Sequence, residues 1–185
     1  MLEAVSGWVA RWSALIPRAQ FPRQVLDLAC GSGRHARLLA SLGHEVIALD
    51  RDAQALAAAS GEGIATVQHD LEAPGAAWPF APGRFAGIVV TNYLHRPLFA
   101  DIAAGLAPDG VLVYETFARG NEVFGKPSNP DFLLSPGELL DLAGRGGLRV
   151  IAYEDGVVEA PKRARVQRLC AVGPEFDLLR AKLDL

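Results

Sequence analysis

Val25-Leu-Asp-Leu-Ala-Cys-Gly-Ser-Gly-Arg34 is the stretch that decides the fold. Val25, Leu26, Leu28 and Ala29 are apolar on both faces of an extended segment, as a central parallel strand requires. Cys30-Gly31-Ser32-Gly33 then breaks the strand. Gly31 and Gly33 permit a sharp turn and let a ligand approach the backbone with no Cβ in the way. From Arg34 to Gly43, Ala36, Leu38, Leu39, Ala40 and Leu42 recur at helical spacing. A strand, a glycine turn and a helix N-terminus together make a nucleotide-shaped pocket.

Working outward, the chain alternates strand and helix signals. Upstream, Leu2–Ile16 reads as an amphipathic helix with Val5, Trp8, Val9, Trp12, Leu15 and Ile16 on one stripe. Pro17 ends it and Pro22 lies in the linker. It packs on the sheet, or it forms a lid in which Trp8, Arg11 or Trp12 covers a ligand. Downstream, Glu45–Asp50 is a second strand ending on an acid, and Asp52 caps a helix through Ala59. Ile64–His69 is a third strand, followed directly by Asp70. Glu72–Gly83 is a proline-rich loop, and Phe85–Thr91 is the fourth strand. Arg96–Leu106 reads as a helix with Pro97 in its first turn. Pro108-Asp-Gly110 is a turn, and Val111–Phe117 is the fifth strand.

Ala118–Leu134 is the longest irregular segment, polar and rich in glycine and proline, and loops of this length are usually functional. It is expected to form a lid or pocket wall on the substrate side. Ser135-Pro-Gly-Glu138 reads as a capping box opening a helix to about Arg145. Leu148–Glu154 and Arg165–Val172 are strands joined too closely for a crossover, so they pair antiparallel. The whole is helix, five strand–helix units and a hairpin. The expected fold is α/β: a doubly wound, mostly parallel seven-stranded sheet with an antiparallel terminal hairpin, helices on both faces, and a single domain over residues 1–185. Its ligands belong beyond the carboxyl ends of the strands.

Composition narrows the class. The 185 residues are half hydrophobic and carry a net charge of -3, with a pI near 5.8. That balance makes a nucleic-acid partner unlikely, since such a footprint needs a basic face. Cys30 and Cys170 match no metal-ligand spacing, and no metal is expected. No run approaches the ~20 apolar residues that span a bilayer. Without a cationic leader before the apolar N-terminal residues, a cytoplasmic protein with reduced thiols is expected.

Three acids bear on which nucleotide is held. The turn Gly31-x-Gly33-x-x-Ala36 also fits a dinucleotide fingerprint, so glycines alone are weakly informative. Asp27, however, lies inside the first strand, where a carboxylate would repel a pyrophosphate and where burial is costly without a partner. Asp50 ends the second strand, placed to accept ribose hydroxyls. Asp70 ends the third, with Leu71 beside it to press on an adenine ring. Each acid by itself is also an ordinary helix cap or solvated strand end. All three on one sheet edge suit a ligand with a cationic head and no phosphates.

Val25-Leu-Asp-Leu-Ala-Cys-Gly-Ser-Gly, Ile47-Ala-Leu-Asp50, Gln68-His-Asp70-Leu71 and Phe85-Ala-Gly-Ile-Val-Val-Thr-Asn92 resemble successive motifs of the S-adenosylmethionine-dependent methyltransferases of the Rossmann-like class. The style is similar to that of small stand-alone bacterial enzymes, the tellurite-resistance methyltransferases among them. The resemblance spans roughly residues 20–172 and implies S-adenosylmethionine as cofactor. It implies that Gly31 and Gly33 pass under the methionine and ribose, and that Asp27 reaches the ammonium directly or through water. It further implies that Asp50 holds the ribose, that Arg51 lies beside the adenine, that Asp70 and Leu71 hold the adenine edge, and that Thr91 and Asn92 line the methionine end. Arg34 reaches the methionine carboxylate or faces solvent.

Methyl transfer is an in-line displacement at a carbon the sulfonium already activates, so positioning supplies much of the catalysis and no base is mandatory. His95, Tyr93 and Glu115 are the candidate catalytic residues, His95 first for its ordinary pKa. Arg96, Tyr114, Asn121 and Lys126 are candidate substrate residues. Asn92-Tyr93-Leu94-His95 departs from the Asn-Pro-Pro-aromatic motif of enzymes that methylate exocyclic amines of nucleic acids or glutamine. A small-molecule acceptor is therefore expected ahead of a protein or RNA one. Pro161-Lys-Arg-Ala-Arg165 with Arg168 reads as a solvated basic hairpin or a contact for an anionic partner. The competing functions are a dinucleotide-dependent oxidoreductase and a non-catalytic cofactor-binding protein. Oligomeric state is not legible here.

Overall fold

The computed structural model describes residues 4–18 and 23–183. Seven strands join one sheet: β1 (Gln24–Leu28), β2 (Val46–Asp50), β3 (Ile64–Gln68), β4 (Phe85–Thr91), β5 (Leu106–Phe117), β6 (Arg149–Val158) and β7 (Ala164–Val172). Their order is β3-β2-β1-β4-β5-β7-β6. Pairs from β3 through β5 are parallel, and β7 inserts antiparallel between β5 and β6. This is the doubly wound sheet with an antiparallel terminal hairpin that the pattern predicts. The strand order reverses between β1 and β4, which fixes where a ligand crevice opens.

Alternate residues of each central strand feed two cores. Val25, Val46, Val89, Val113 and Cys170 face α1 (Gly7–Trp12), α2 (Arg34–Ser41) and α3 (Ala53–Ala59), meeting Trp8, Trp12, Leu39 and Leu56. Leu26, Ile47, Ile88, Leu112 and Leu169 face α4 (Phe99–Gly105) and α5 (Glu138–Arg145), meeting Ile102, Leu139 and Leu142. Period-two burial on both faces is what makes a central strand read as an unbroken apolar run.

Several boundaries differ from the sequence reading, each for a local reason. The first helix is only Gly7–Trp12, because the Ser6 hydroxyl accepts from the Trp8 and Val9 N–H groups and caps it there. A 3-10 turn, Ser13–Leu15, carries on the stripe to Leu15, while Val5 is exposed. The expected start at Leu2, and Pro22, lie outside the described residues. No helix joins β3 to β4, so there are four strand–helix units rather than five. Pro74, Pro79 and Pro82 remove backbone donors there, and Trp78 and Phe80 seal the loop by packing edge-on toward Phe85.

At α5 only half of the expected capping box forms. Glu138 Oε2 accepts from the Ser135 N–H at 2.8 Å, but the N-cap is Gly137 at φ 76°, which has no side chain to return the bond. β5 begins at Leu106 and absorbs Pro108-Asp-Gly110 as an irregularity in its pairing with β4. The segment after β7 turns back to bury Phe176 beneath the α1 face.

Candidate functional site

The glycine turn sits where β1 leaves the sheet. Gly31 adopts φ +53° with open space above it. Gly33 adopts φ +77°, and a Cβ there would stand 2.5 Å from Ala59 Cβ and 2.8 Å from its Cα. The two glycines therefore serve different ends. Gly31 leaves room over the turn, whereas Gly33 lets α2 start against the end of α3. Arg37 ties the same junction by donating to the carbonyls of Ser32 (2.7 Å) and Ala58 (3.1 Å). Two non-glycine residues also take positive φ, Ala29 and Asn92, both at 54°. They end β1 and β4, the two strands that flank the crevice. Strained backbone of this kind concentrates at functional sites.

Asp27 is 1 % exposed and lies under the turn. Its Oδ2 accepts from the Ala36 N–H at 2.8 Å, in the first turn of α2. It thus caps a helix whose own N-cap, Gly33, has no side chain. Burial raises its pKa to about 7, against a smaller opposing pull from that N–H and from Arg34. Asp27 lines none of the three cavities described below.

Asp50 lies at the other side of the turn. Its Oδ2 accepts from the Gly31 N–H at 2.8 Å and its Oδ1 from the Asp52 N–H at 3.0 Å. Each oxygen retains a further lone pair. With Ala29, Arg51, Asp70, Leu71 and Tyr93, Asp50 lines a cavity of about 200 Å³ over the ends of β1 to β3. Tyr93 belongs here rather than beside an acceptor, and burial together with Glu72 and Asp70 raises its hydroxyl pKa. It is thereby disfavoured as a proton-accepting base.

A second cavity, about 620 Å³, opens past the ends of β4 and β5. Asn92, Glu115, Arg34, Asn121 and Lys126 all contribute to its lining. Asn92 and Tyr93 are consecutive, so the two cavities meet at the end of β4. Glu115 is paired with Arg168 at 2.5 Å. Asn121 is buried and braced, its amide donating to the Pro127 carbonyl (2.9 Å) and accepting from the Arg165 N–H (3.1 Å). It shapes the long loop more than it offers a free amide.

Other candidates are placed elsewhere. Arg96 grips Glu138 (2.6 and 3.0 Å) and the carbonyls of Asp131 and Leu133. It lines a separate groove of about 970 Å³ between α4 and α5, which shares no lining residue with the other two cavities. Tyr114 is fully buried and donates to the Tyr93 carbonyl at 2.9 Å. His95 is half-buried, opens the 3-10 turn before α4 without a side-chain cap bond, and lines none of these cavities. Thr91 is buried, with Oγ1 3.3 Å from His35 Nδ1.

His35 is a residue the sequence reading misses. Its Nε2 accepts from the Ser6 N–H at 3.1 Å, so the proton is on Nδ1 and faces Thr91. Burial, then Arg34, lowers its pKa to about 4. It ties the start of α1 to the end of β4 across the site. The only signal for it was a polar residue on the apolar stripe of α2. Among the described residues no group of three or more metal-ligating side chains occurs. Cys30 and Cys170 are both buried free thiols.

Residues 25–110 match the family model described as "Methyltransferase domain". That stretch is similar to a methyltransferase domain. The matched stretch runs from β1 to the turn inside β5 and includes the first cavity. Solved structures share the fold of this chain at low identity. TehB from Haemophilus influenzae is 19% identical with a TM-score of 0.72, over 93% of this chain and 63% of that one. A Mesorhizobium loti S-adenosylmethionine-dependent methyltransferase is 19% identical, TM-score 0.64, over 88% and 97%. Geranyl diphosphate C-methyltransferase from Streptomyces coelicolor A3(2), solved with Mg2+, geranyl diphosphate and S-adenosyl-L-homocysteine, is 14% identical, TM-score 0.66, over 89% and 76%. A search of curated proteins returned no match.

S-adenosylmethionine is the cofactor named for the Mesorhizobium loti neighbour, and the residues present here fit it. Open space over Gly31, acids rather than phosphate-binding donors, and Leu71 at the cavity wall suit an adenosine with a cationic sulfonium arm.

Proposed function

We propose that the protein transfers a methyl group from S-adenosylmethionine to a small-molecule acceptor by in-line displacement. One observation carries this over a dinucleotide reading: the Gly31 N–H is already bonded to the Asp50 carboxylate. A pyrophosphate needs that donor and would meet an anion instead. In this reading Asp50 and Arg51 take the ribose and adenine sides, with Asp70, Leu71 and Tyr93 around the base. Thr91 and Asn92 border the methionine arm, and Arg34 stands at its carboxylate end. The sulfonium supplies the activated methyl. The chain's part is to align the acceptor and to keep water from the transfer axis.

Where the acceptor carries a proton, Glu115 is the candidate inside the second cavity able to receive it. His95 and Tyr93 are less well placed. Asp27 acts beneath the turn, holding α2 and adding negative potential under the ammonium. No helix of the described residues is long and apolar enough to cross a membrane, and the free thiols fit the reducing cytoplasm.

Calorimetric titration with S-adenosylhomocysteine and with NADH tests the cofactor. Binding of the former alone is expected, and tight NADH binding without it would overturn the reading. Methyl release from labelled cofactor across phenols, thiols, amines and carboxylates then separates an enzyme from a binding protein.

A further inference from the structure

The second cavity has a charge that the protein as a whole does not. Five basic side chains line it, Arg34, Lys126, Lys162, Arg163 and Arg168, against the single acid Glu115. The chain carries a net charge of -3, so this concentration is not a reflection of composition. Glu115 is matched by Arg168, and Arg163 by Glu159 at 3.2 Å. Lys126 and Lys162 have no ion pair among the described residues.

Lys126, Lys162 and Arg163 are exposed, but the loop and the hairpin that carry them pack together. Arg163 lies over the Phe124 ring at 5.0 Å. Gly125 has φ +127°, and a Cβ there would stand 3.4 Å from Lys162 Nζ. The long loop and the tip of the β6–β7 hairpin thus meet here, with Lys162 Nζ against Gly125. Asn121 fixes the loop from below through Pro127 and Arg165. Arg165 itself turns to Asp155 at 2.5 Å and does not line the cavity. Phe117 and Phe124 give the same space apolar surface.

The geometry points to a methyl acceptor that is a small anion on an apolar body, a carboxylate or phosphate monoester held at its charged end by Lys126 and Lys162. Its apolar part rests on Phe117 and Phe124, and its acceptor atom lies toward Asn92, where the two cavities meet. Lys126 and Lys162 are exposed, and two ammonium groups without an ion pair would select against neutral and cationic analogues. The inference rests on the methyltransferase reading for the identity of the cavity as the acceptor site. Its charge preference does not depend on turnover.

The test is calorimetric titration of the full chain with benzoate, phenyl phosphate, benzamide and benzylamine, each with and without S-adenosylhomocysteine. The expected result is that both anions bind at least about tenfold more tightly than the amide or amine. In Lys126→Gln/Lys162→Gln the anions should weaken about five- to tenfold, as expected for two partly exposed charge contacts. S-adenosylhomocysteine affinity and thermal midpoint should stay at wild-type values, which separates lost anion contacts from lost structure. Equal binding of anions and neutral analogues, absence of anion binding, or unchanged anion affinity in the double variant would each overturn the proposal. Anion binding with no S-adenosylhomocysteine binding would instead sink the methyltransferase reading and leave the anion site standing.

Discussion

The two cavities at the carboxyl edge are built in opposite ways. The smaller is lined by Asp50, Asp70 and Glu72 with Arg51, all from residues 29–93. The larger draws on residues 4–7, Arg34, Asn92, the end of β5, the long loop and the hairpin, and is basic. In the first, each successive strand delivers one functional residue as it ends, so the site is nearly written in chain order. In the second, segments more than 100 residues apart meet only after the sheet has formed. The family match stops at residue 110, before most of the second cavity begins. A shared cofactor and an individual acceptor would produce that division.

The sharpest way to break the first cavity is through its packing. Gly33→Ala places a Cβ 2.8 Å from the Ala59 backbone at φ +77°. Overpacking and left-handed strain add, and a loss of about 4 kcal/mol is expected in urea unfolding. Gly31→Ala meets open space and bears the strain of φ +53° alone, about 1–2 kcal/mol. Equal losses for the two would mean that the turn does not divide its work between packing and ligand space.

That division was not visible in the sequence, although the turn was. Strand order, the hairpin and the acids of the edge follow from apolar runs and glycine breaks, which are local signals. Whether a glycine faces a ligand or a neighbouring helix depends on Ala59, 26 positions after Gly33 in the chain. Arg96 and Tyr114 mislead for a related reason. Both are polar groups near strand ends, but the loop carbonyls and Glu138 claim one, and the sheet's other core claims the other. His35 stayed hidden because its partners, Ser6 and Thr91, come from two other elements.

Asp27 and His35 form a second contrast within the same site, and pH separates them. Asp27 is raised from 3.8 to about 7, so the folded state binds the proton more tightly than the unfolded chain. Its contribution to stability is present below about pH 4 and is lost as pH rises through about 7. His35 is lowered from 6.5 to about 4; its contribution is present above about pH 6.5 and is lost as pH falls toward 4. The two slopes oppose each other, and His44, also lowered by burial, adds to that of His35. The wild type should show a weaker dependence between pH 4 and 7 than the two histidines alone would give. Asp27→Asn keeps an acceptor for Ala36 and removes one slope. It should stabilise the protein at pH 8 by on the order of 3 kcal/mol, and its stability should then fall on acidification as His35, and with it the buried His44, titrates. Denaturant midpoints at pH 8, 6 and 4.5 check both signs.

Asp50→Ala tests the acidic cavity directly. Loss of the carboxylate frees the Gly31 and Asp52 N–H groups and removes the proposed ribose acceptor. S-adenosylhomocysteine affinity should fall by ~1–3 kcal/mol, roughly 5- to 150-fold. Benzoate should bind within about twofold of wild type, since Asp50 does not line the basic cavity. A loss confined to the anion would reverse the assignment of the two cavities.

The smallest effect is expected from Tyr114→Phe, and it tests whether the junction between the cavities is held from below. The Tyr114 hydroxyl is the buried donor to the Tyr93 carbonyl, one residue past Asn92 at its positive φ. Removing it leaves a carbonyl without its partner while the ring keeps its place in the core. A stability loss of about 1 kcal/mol is expected. Because Tyr93 lines the smaller cavity and Asn92 the larger, a loosened junction should weaken S-adenosylhomocysteine and benzoate together, each by about twofold to threefold, on the scale of one lost hydrogen bond shared between two sites. If only stability changed, the hydroxyl would be a core hydrogen bond and nothing more. If both ligands weaken in parallel, the end of β4 is the hinge point through which an acidic cofactor cavity and a basic acceptor cavity are kept in register.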